Sequence, residues 1–143
     1  MMTASPKDVI RKIFEQAWNR QVFDGLEPVL ADEIQMHFRG QSSPTNLADL
    51  KQLVAAWRSA FPDLHFVVED MIEEGDRVAV RLTLYGPHQG AWKGAAPTGR
   101  AMRVSEMMFF RFEGGQLVEM WEDYDEFGLW QQLGAAPGHL LRE

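Results

Sequence analysis

The chain has 143 residues, 45% of them hydrophobic and 24% charged, with 14 Lys+Arg against 21 Asp+Glu and a formal net charge of −7. That length suits one domain, 1–143, able to bury a core without crosslinks. The absence of cysteine excludes disulfides, thiolate metal sites and a cysteine nucleophile. An acidic balance with no Lys/Arg cluster argues against nucleic acid or anionic lipid as the main partner. The start MMTASPKDVIRK has neither the basic opening nor the apolar run of a secretory leader, and no apolar stretch approaches the roughly 20 residues that span a bilayer. The expectation is a soluble, cytoplasmic protein with no membrane partner.

Ser5-Pro6-Lys7-Asp8 reads as a helix start, with Ser5 as N-cap and Pro6 at the first helical position. Ile10, Ile13, Phe14, Ala17 and Trp18 then form one apolar stripe on a helix that ends at Asp24-Gly25. A short helical segment over Leu26–Ala31 and a strand over about Glu33–Arg39 follow, and Ser42-Ser43-Pro44-Thr45 reads as a loop. Asn46 caps a second helix whose stripe is Leu47, Leu50, Val54, Trp57 and Phe61, stopped by Pro62.

Beyond Pro62 the period changes to two. His65–Glu73 alternates, Gly75-Asp76 turns the chain, and Val78, Val80, Leu82 and Leu84 share one strand face. A Gly- and Pro-rich stretch, Gly86–Gly99, precedes strands at about Met102–Phe112 and Leu117–Asp125, joined at Gly114-Gly115, and a last helix over Phe127–Leu133 ends at Gly134. Helices first and hairpin-linked strands last predict α+β architecture, a curved antiparallel sheet packed on the N-terminal helices around a deep pocket.

The last hairpin can pair in two registers. A two-residue Gly114-Gly115 loop sets Phe110 against Glu119; a three-residue loop, Glu113-Gly114-Gly115, gathers Phe110, Met108, Val118 and Met120 on one face. A one-residue slip moves every side chain to the other face, so apolar coherence favours the three-residue loop. Glu106 and Glu122 then lie directly opposed at the end of an apolar face. Repulsion and desolvation there raise one proton affinity, and a carboxyl tuned in this way can exchange protons near neutrality. The plainer alternative is that both splay into solvent or pair with Arg81, Arg100 or Arg103.

From Phe61 onward the chain resembles the SnoaL-like polyketide (ester) cyclases of the nuclear-transport-factor-two-like superfamily. The resemblance rests on Phe61-Pro62-Asp63, Tyr85-Gly86-Pro87-His88-Gln89-Gly90, Gly94-Ala95-Ala96-Pro97-Thr98-Gly99-Arg100, the segment Gly115–Trp121, Asp125 and Gly128–Gly134. It implies a cone-shaped α+β fold around an apolar cavity, a homodimer through the sheet's outer face, and cofactor-independent acid/base chemistry on an apolar, carbonyl-bearing small molecule. It also places Glu122 where the cyclases carry their acidic catalytic residue. Two departures stand out: Glu122 replaces an aspartate, and Met108 replaces a cavity histidine, leaving a protonated Glu106 to polarise the carbonyl. The alternatives are a non-catalytic binder of hydrophobic small molecules, or a hydrolase or isomerase.

His88, beside Trp92, is a second acid/base candidate or a loop-bonding structural histidine. His37 reads as structural or as pocket wall. Trp18, Trp57 and Phe61 from the helices, with Met108, Phe110 and Met120 from the hairpin, are the expected substrate-binding lining, and Tyr85 and Tyr124 the hydroxyls that orient a ligand. Glu119, Glu122, Asp123, Asp125 and Glu126 are split by strand alternation and lack metal-ligand spacing, so neither a metal nor a cofactor is expected. Asp125 reads as an N-cap. Met107, Phe109, Leu117 and Trp121 form the apolar face expected to be covered by a second copy.

Overall fold

The structure, a computed structural model, describes residues 4–138. Ser5 caps helix α1 (Pro6–Arg11) through a reciprocal capping box with Asp8. The helix runs on without a break into Lys12–Trp18, which is wound as a wider π-helix, and Val9, Ile10, Ile13, Phe14, Ala17 and Trp18 are all buried. A short 3-10 turn (Glu27–Val29) leads into β1 (Leu30–Phe38), which pairs antiparallel with β2 (Gln41–Thr45). The segment expected to be a loop at Ser42–Thr45 is therefore an edge strand. Its Pro44 lacks an N–H for the ladder, a loss that an edge tolerates.

Helix α2 (Leu47–Ala60) starts at Asn46, whose side chain accepts from the Asp49 N–H at 2.8 Å. Arg58, near its end, donates to the carbonyls of Trp18 (3.0 Å), Leu64 (2.8 Å) and Pro62 (3.0 Å), tying two helix ends to the start of the sheet. Asn19 adds a second tie, exchanging two hydrogen bonds with the Phe66 backbone at 2.9 and 2.7 Å.

Strands β3 (His65–Glu74), β4 (Arg77–Pro87), β5 (Ala101–Glu113) and β6 (Gln116–Tyr124) complete one six-stranded sheet of order β2-β1-β6-β5-β4-β3. It is antiparallel except at the β1–β6 pair, which is parallel. Helix α3 (Glu126–Leu133) is capped by Asp125, which accepts from the Gly128 N–H at 2.9 Å, and ends at left-handed Gly134. The fold is thus α+β, a curved, unclosed sheet holding its core against the helices. No described helix is long and apolar enough to cross a membrane.

The β5–β6 hairpin departs from the expected register in an instructive way. Gly114 and Gly115, at φ 56° and 80°, make a tight two-residue turn that pairs Glu113 with Gln116 and Phe112 with Leu117. Continued unchanged, that register would set Phe110 against Glu119. Instead the pairing shifts by one residue between Arg111 and Phe112, leaving Val118 as a bulge and matching Phe110 with Met120. Phe110, Met108 and Met120 share the inner face as expected, but Val118, expected among them, is the bulge, and the strands are offset by two residues from the expected alignment. Leu117 consequently points inward and is buried, not onto the outer face where it was expected.

Candidate functional site

Between the first helix, the β1–β2 arm, the start of α2 and the inner face of β5–β6 lies a cavity of about 350 Å³. That is near the lower end of the about 300–1,000 Å³ typical of small-molecule sites. Ile13, Phe14 and Trp18 reach it from the π-wound segment, and Met108, Phe110, Leu117 and Met120 from the hairpin. Its polar groups fall into two sets. Ser43, Thr45, Asn46 and Asp49 belong to the β2–α2 junction, while Glu106 and Glu122 belong to the sheet.

Glu106 lies in the inward row of β5, between Val104 and Met108, and is only 4% exposed. Its strand neighbours are Leu82 on β4 and Tyr124 on β6; Glu122 is flanked by Met108 on β5 and Phe38 on β1. The two carboxyls are therefore diagonal rather than directly opposed, because the tight turn and bulge offset the strands. Diagonal neighbours on one sheet face remain within reach of long side chains, and the carboxyls do meet in a hydrogen bond. Burial, that bond and the negative charge of Glu122, in this order of weight, hold the Glu106 carboxyl well above the usual carboxylate range. A carboxyl in this state keeps a proton and can donate it.

Trp18, Met108, Phe110 and Met120 line the cavity; Trp57, Phe61, Tyr85, Tyr124 and His88 do not. Tyr85 is excluded by strand period: Val78, Val80, Leu82 and Leu84 face inward, so Tyr85 faces outward, under the Arg103 guanidinium at 5.0 Å. Trp57 and Phe61 pack into a separate aromatic cluster, with Trp57 4.4 Å from Trp92 and Phe61 5.4 Å from His88 between ring centroids. Tyr124 is Glu106's neighbour across the strand, but its ring is stacked on Phe38 at 5.7 Å and meets Trp57 edge-on. Burial is the main cause pushing its phenol up to about 12.

His88 is fully buried. Its Nδ1 accepts from the Thr98 N–H at 3.2 Å, which leaves the imidazole hydrogen on Nε2. Burial lowers its pKa, against a smaller opposing effect of the Gly90 backbone. This is the loop-bonding arrangement, away from the cavity. His37 likewise lies on the outer face, stacked on Trp121 at 5.0 Å and bonded to Glu119 and Ser42 at 2.7 Å each. It is not pocket wall.

Among the lining residues missed by sequence reasoning are the polar Ser43, Thr45 and Asp49 and the apolar Leu30, Ile34, Met36 and Leu117. The cue available was Asn46-x-x-Asp49, which fixes where α2 begins; the strand that carries Ser43 inward gave none, being short, polar and interrupted by proline.

A family model for SnoaL-like polyketide cyclases matches residues 8–133. Over 117 residues the chain is 32% identical to aklanonic acid methyl ester cyclase AcmA of Streptomyces galilaeus, covering 79% of this chain and 77% of the relative. Among solved structures, AclR of Streptomyces galilaeus, a proposed hydroxylase, superposes with a TM-score of 0.78 at 30% identity, covering 95% of this chain and 89% of that one. TsrD from Streptomyces laurentii gives 0.79 at 25% identity, with 95% and 99% covered. With the match running from the first helix to the end of α3, the chain belongs to the SnoaL-like polyketide cyclase family.

Proposed function

We propose that this protein is a cofactor-independent enzyme that closes a ring in an apolar, carbonyl-bearing small molecule, with Glu122 and Glu106 as a coupled acid/base pair. The observation that carries this reading is the proton-holding Glu106, buried beside Glu122 in an otherwise apolar cavity. Glu122 takes a proton from the carbon next to a substrate carbonyl, and the electron pair moves onto the carbonyl oxygen. Glu106 donates a hydrogen bond to that developing enolate. The enolate carbon adds to a second carbonyl of the same molecule, whose oxygen takes up the proton. Met108, in the cavity wall beside Glu122, cannot assist, so Glu106 supplies the polarising group. Similarity to a methyl ester cyclase supports a polyketide ester as the first substrate class to test.

Removing the carboxylate base by Glu122→Gln should lower turnover of aklanonic acid methyl ester by about 10²–10⁴-fold with unchanged circular dichroism. Turnover retained in that variant would leave the cavity as a binding site without this chemistry.

The same reading takes the protein as one cytoplasmic domain, 1–143, that works as a homodimer. Ile72, Met107 and Phe109 are 68%, 61% and 52% exposed on the outer face, with Ala79 and Trp121 in the same row as Ile72 and Phe109. A second copy laid on this face would bury them. Sedimentation equilibrium showing only monomer at micromolar concentration excludes that assembly.

A further inference from the structure

The cavity's ionisable groups are all acids. Among its described lining residues are Glu106, Glu122 and Asp49, and no Lys, Arg or His. Basic side chains on the elements around it are engaged elsewhere, Lys51 of α2 lying 5.6 Å from the Phe23 ring centroid. Arg39 lies 4.8 Å from the Phe38 ring centroid and 6.0 Å from that of Tyr124, but its guanidinium pairs with Glu126, as does Lys93 at 3.0 Å. His37 and Arg111 hold Glu119 on the opposite face of the sheet, at 2.7 and 2.8 Å. Arg58 is occupied by three backbone carbonyls. Tyr124, the remaining titratable group next to the acid pair, is a neutral phenol.

Glu106 and Glu122 meet in a largely apolar hollow whose described lining holds no Lys, Arg or His, so negative charge there has no countercharge among the described lining residues. A buried charge without a partner is unfavourable, and the missing partner can only arrive with the ligand. We infer that the cavity selects its ligand by charge: it accepts uncharged and positively charged molecules, cations best, and rejects carboxylates. Asp49, at the β2–α2 junction where α2 begins, extends the same negative field to the cavity's edge. This rests on reading the cavity as the ligand site, and it narrows the substrate class: an acid group must enter masked, as an ester or amide, while an amine on the ligand is an advantage.

The test is calorimetric titration of the full chain at pH 7 with three probes of one shape: 1-naphthylmethylamine, 1-naphthalenemethanol and 1-naphthoate. The amine should bind at least about tenfold tighter than the alcohol, and the naphthoate at least about tenfold weaker than the alcohol. Glu122→Gln should bring the amine within about threefold of the alcohol, and Asp49→Asn should weaken the amine alone by about twofold. Naphthoate binding as tightly as the alcohol, or an amine preference that persists in both variants, overturns the inference while leaving the Glu122→Gln turnover test standing. Binding of none of the three overturns both the inference and the cavity reading.

Discussion

Two glutamates on one hairpin, Glu106 on the inner face and Glu119 on the outer, are driven in opposite directions by what surrounds them. Glu119 accepts from His37 and Arg111, which hold its carboxyl below the usual range, with His37 the larger cause. Glu106 is almost wholly buried, and the hydrogen bond with Glu122 and the negative charge of that second acid add to the effect of burial, so it is pushed up. The same side-chain type becomes a fixed surface anion in one place and a proton reservoir in the other. What decides between them is which face of the sheet each residue occupies, and the hairpin's turn and bulge decide that.

The largest effect should come from changing that parity. Deleting Gly115 leaves one residue to turn the chain, forces β6 to re-pair with its faces exchanged, and should abolish cooperative folding. Deleting Val118 removes only the bulge: Leu117 then precedes Glu119 in perfect alternation, so the inner and outer sets stay where they are. That variant should fold, with Tm lowered by no more than about 8 °C, roughly 2 kcal/mol in a chain of this size. A Val118 deletion as damaging as the Gly115 deletion would contradict the observed pairing.

A smaller, pH-dependent effect tests the inner glutamate. Folded Glu106 keeps its proton where the unfolded chain, near the ordinary value of 4.5, has released it. More protons bound in the native state means that stability falls as pH rises, by about 1.4 kcal/mol per pH unit for one proton. The loss runs from about pH 4.5 up to the raised folded value. Glu106→Gln lacks this slope, so urea melts at successive pH values above 5 should show the variant gaining on the parent until the raised folded value is passed. Parallel stability curves would mean that Glu106 is ionised in the fold.

The smallest effect belongs to the outer glutamate. Its lowered pKa contributes stability above the ordinary 4.5 that disappears as pH falls through the folded value. Partly exposed ion pairs are worth little. Glu119→Gln should therefore lower Tm by no more than about 4 °C at pH 7 and by still less at pH 3. A larger loss at pH 3 than at pH 7 would refute the assignment.

Much of this was legible in the sequence because local chemistry and global fold agree. Ser5, Asn46 and Asp125 each cap the helix that they precede, Gly134 ends the last one, and the period-two runs are strands. The inward face of β5 follows from its alternation, and with it the meeting of Glu106 and Glu122. The exact pairing was not legible, because apolar coherence fixes parity alone. A three-residue loop, and a two-residue turn followed by a bulge, put the same side chains inside from Glu119 onward while differing by two residues in alignment, and they differ at Leu117, which only the second turns inward, and at Val118, which it leaves as the bulge. Tyr85 was misplaced because its hydroxyl outweighed the alternation that turns it outward. Trp57 and Phe61 follow a sound helical stripe, but such a stripe says that residues are buried and not whether they meet a cavity or one another. The strand carrying Ser43 was invisible because its partner lies on β1 and its composition suits a loop.

The π-winding of Lys12–Trp18 has a consequence for how this hollow could be reshaped. Such a turn accommodates one residue more than an α-helix does. Loss of one residue between Lys12 and Trp18, with the segment tightening to α geometry, would leave the flanking turns nearly in register, because six residues at about 100° each sweep about the same angle as the wider-wound segment, and would shift only the residues within it against one another. Since Ile13, Phe14 and Trp18 all contribute wall, the size and outline of the chamber could change while every one of those side chains stayed the same. Relatives with matching lining residues and a first helix one residue shorter would then accept differently shaped molecules.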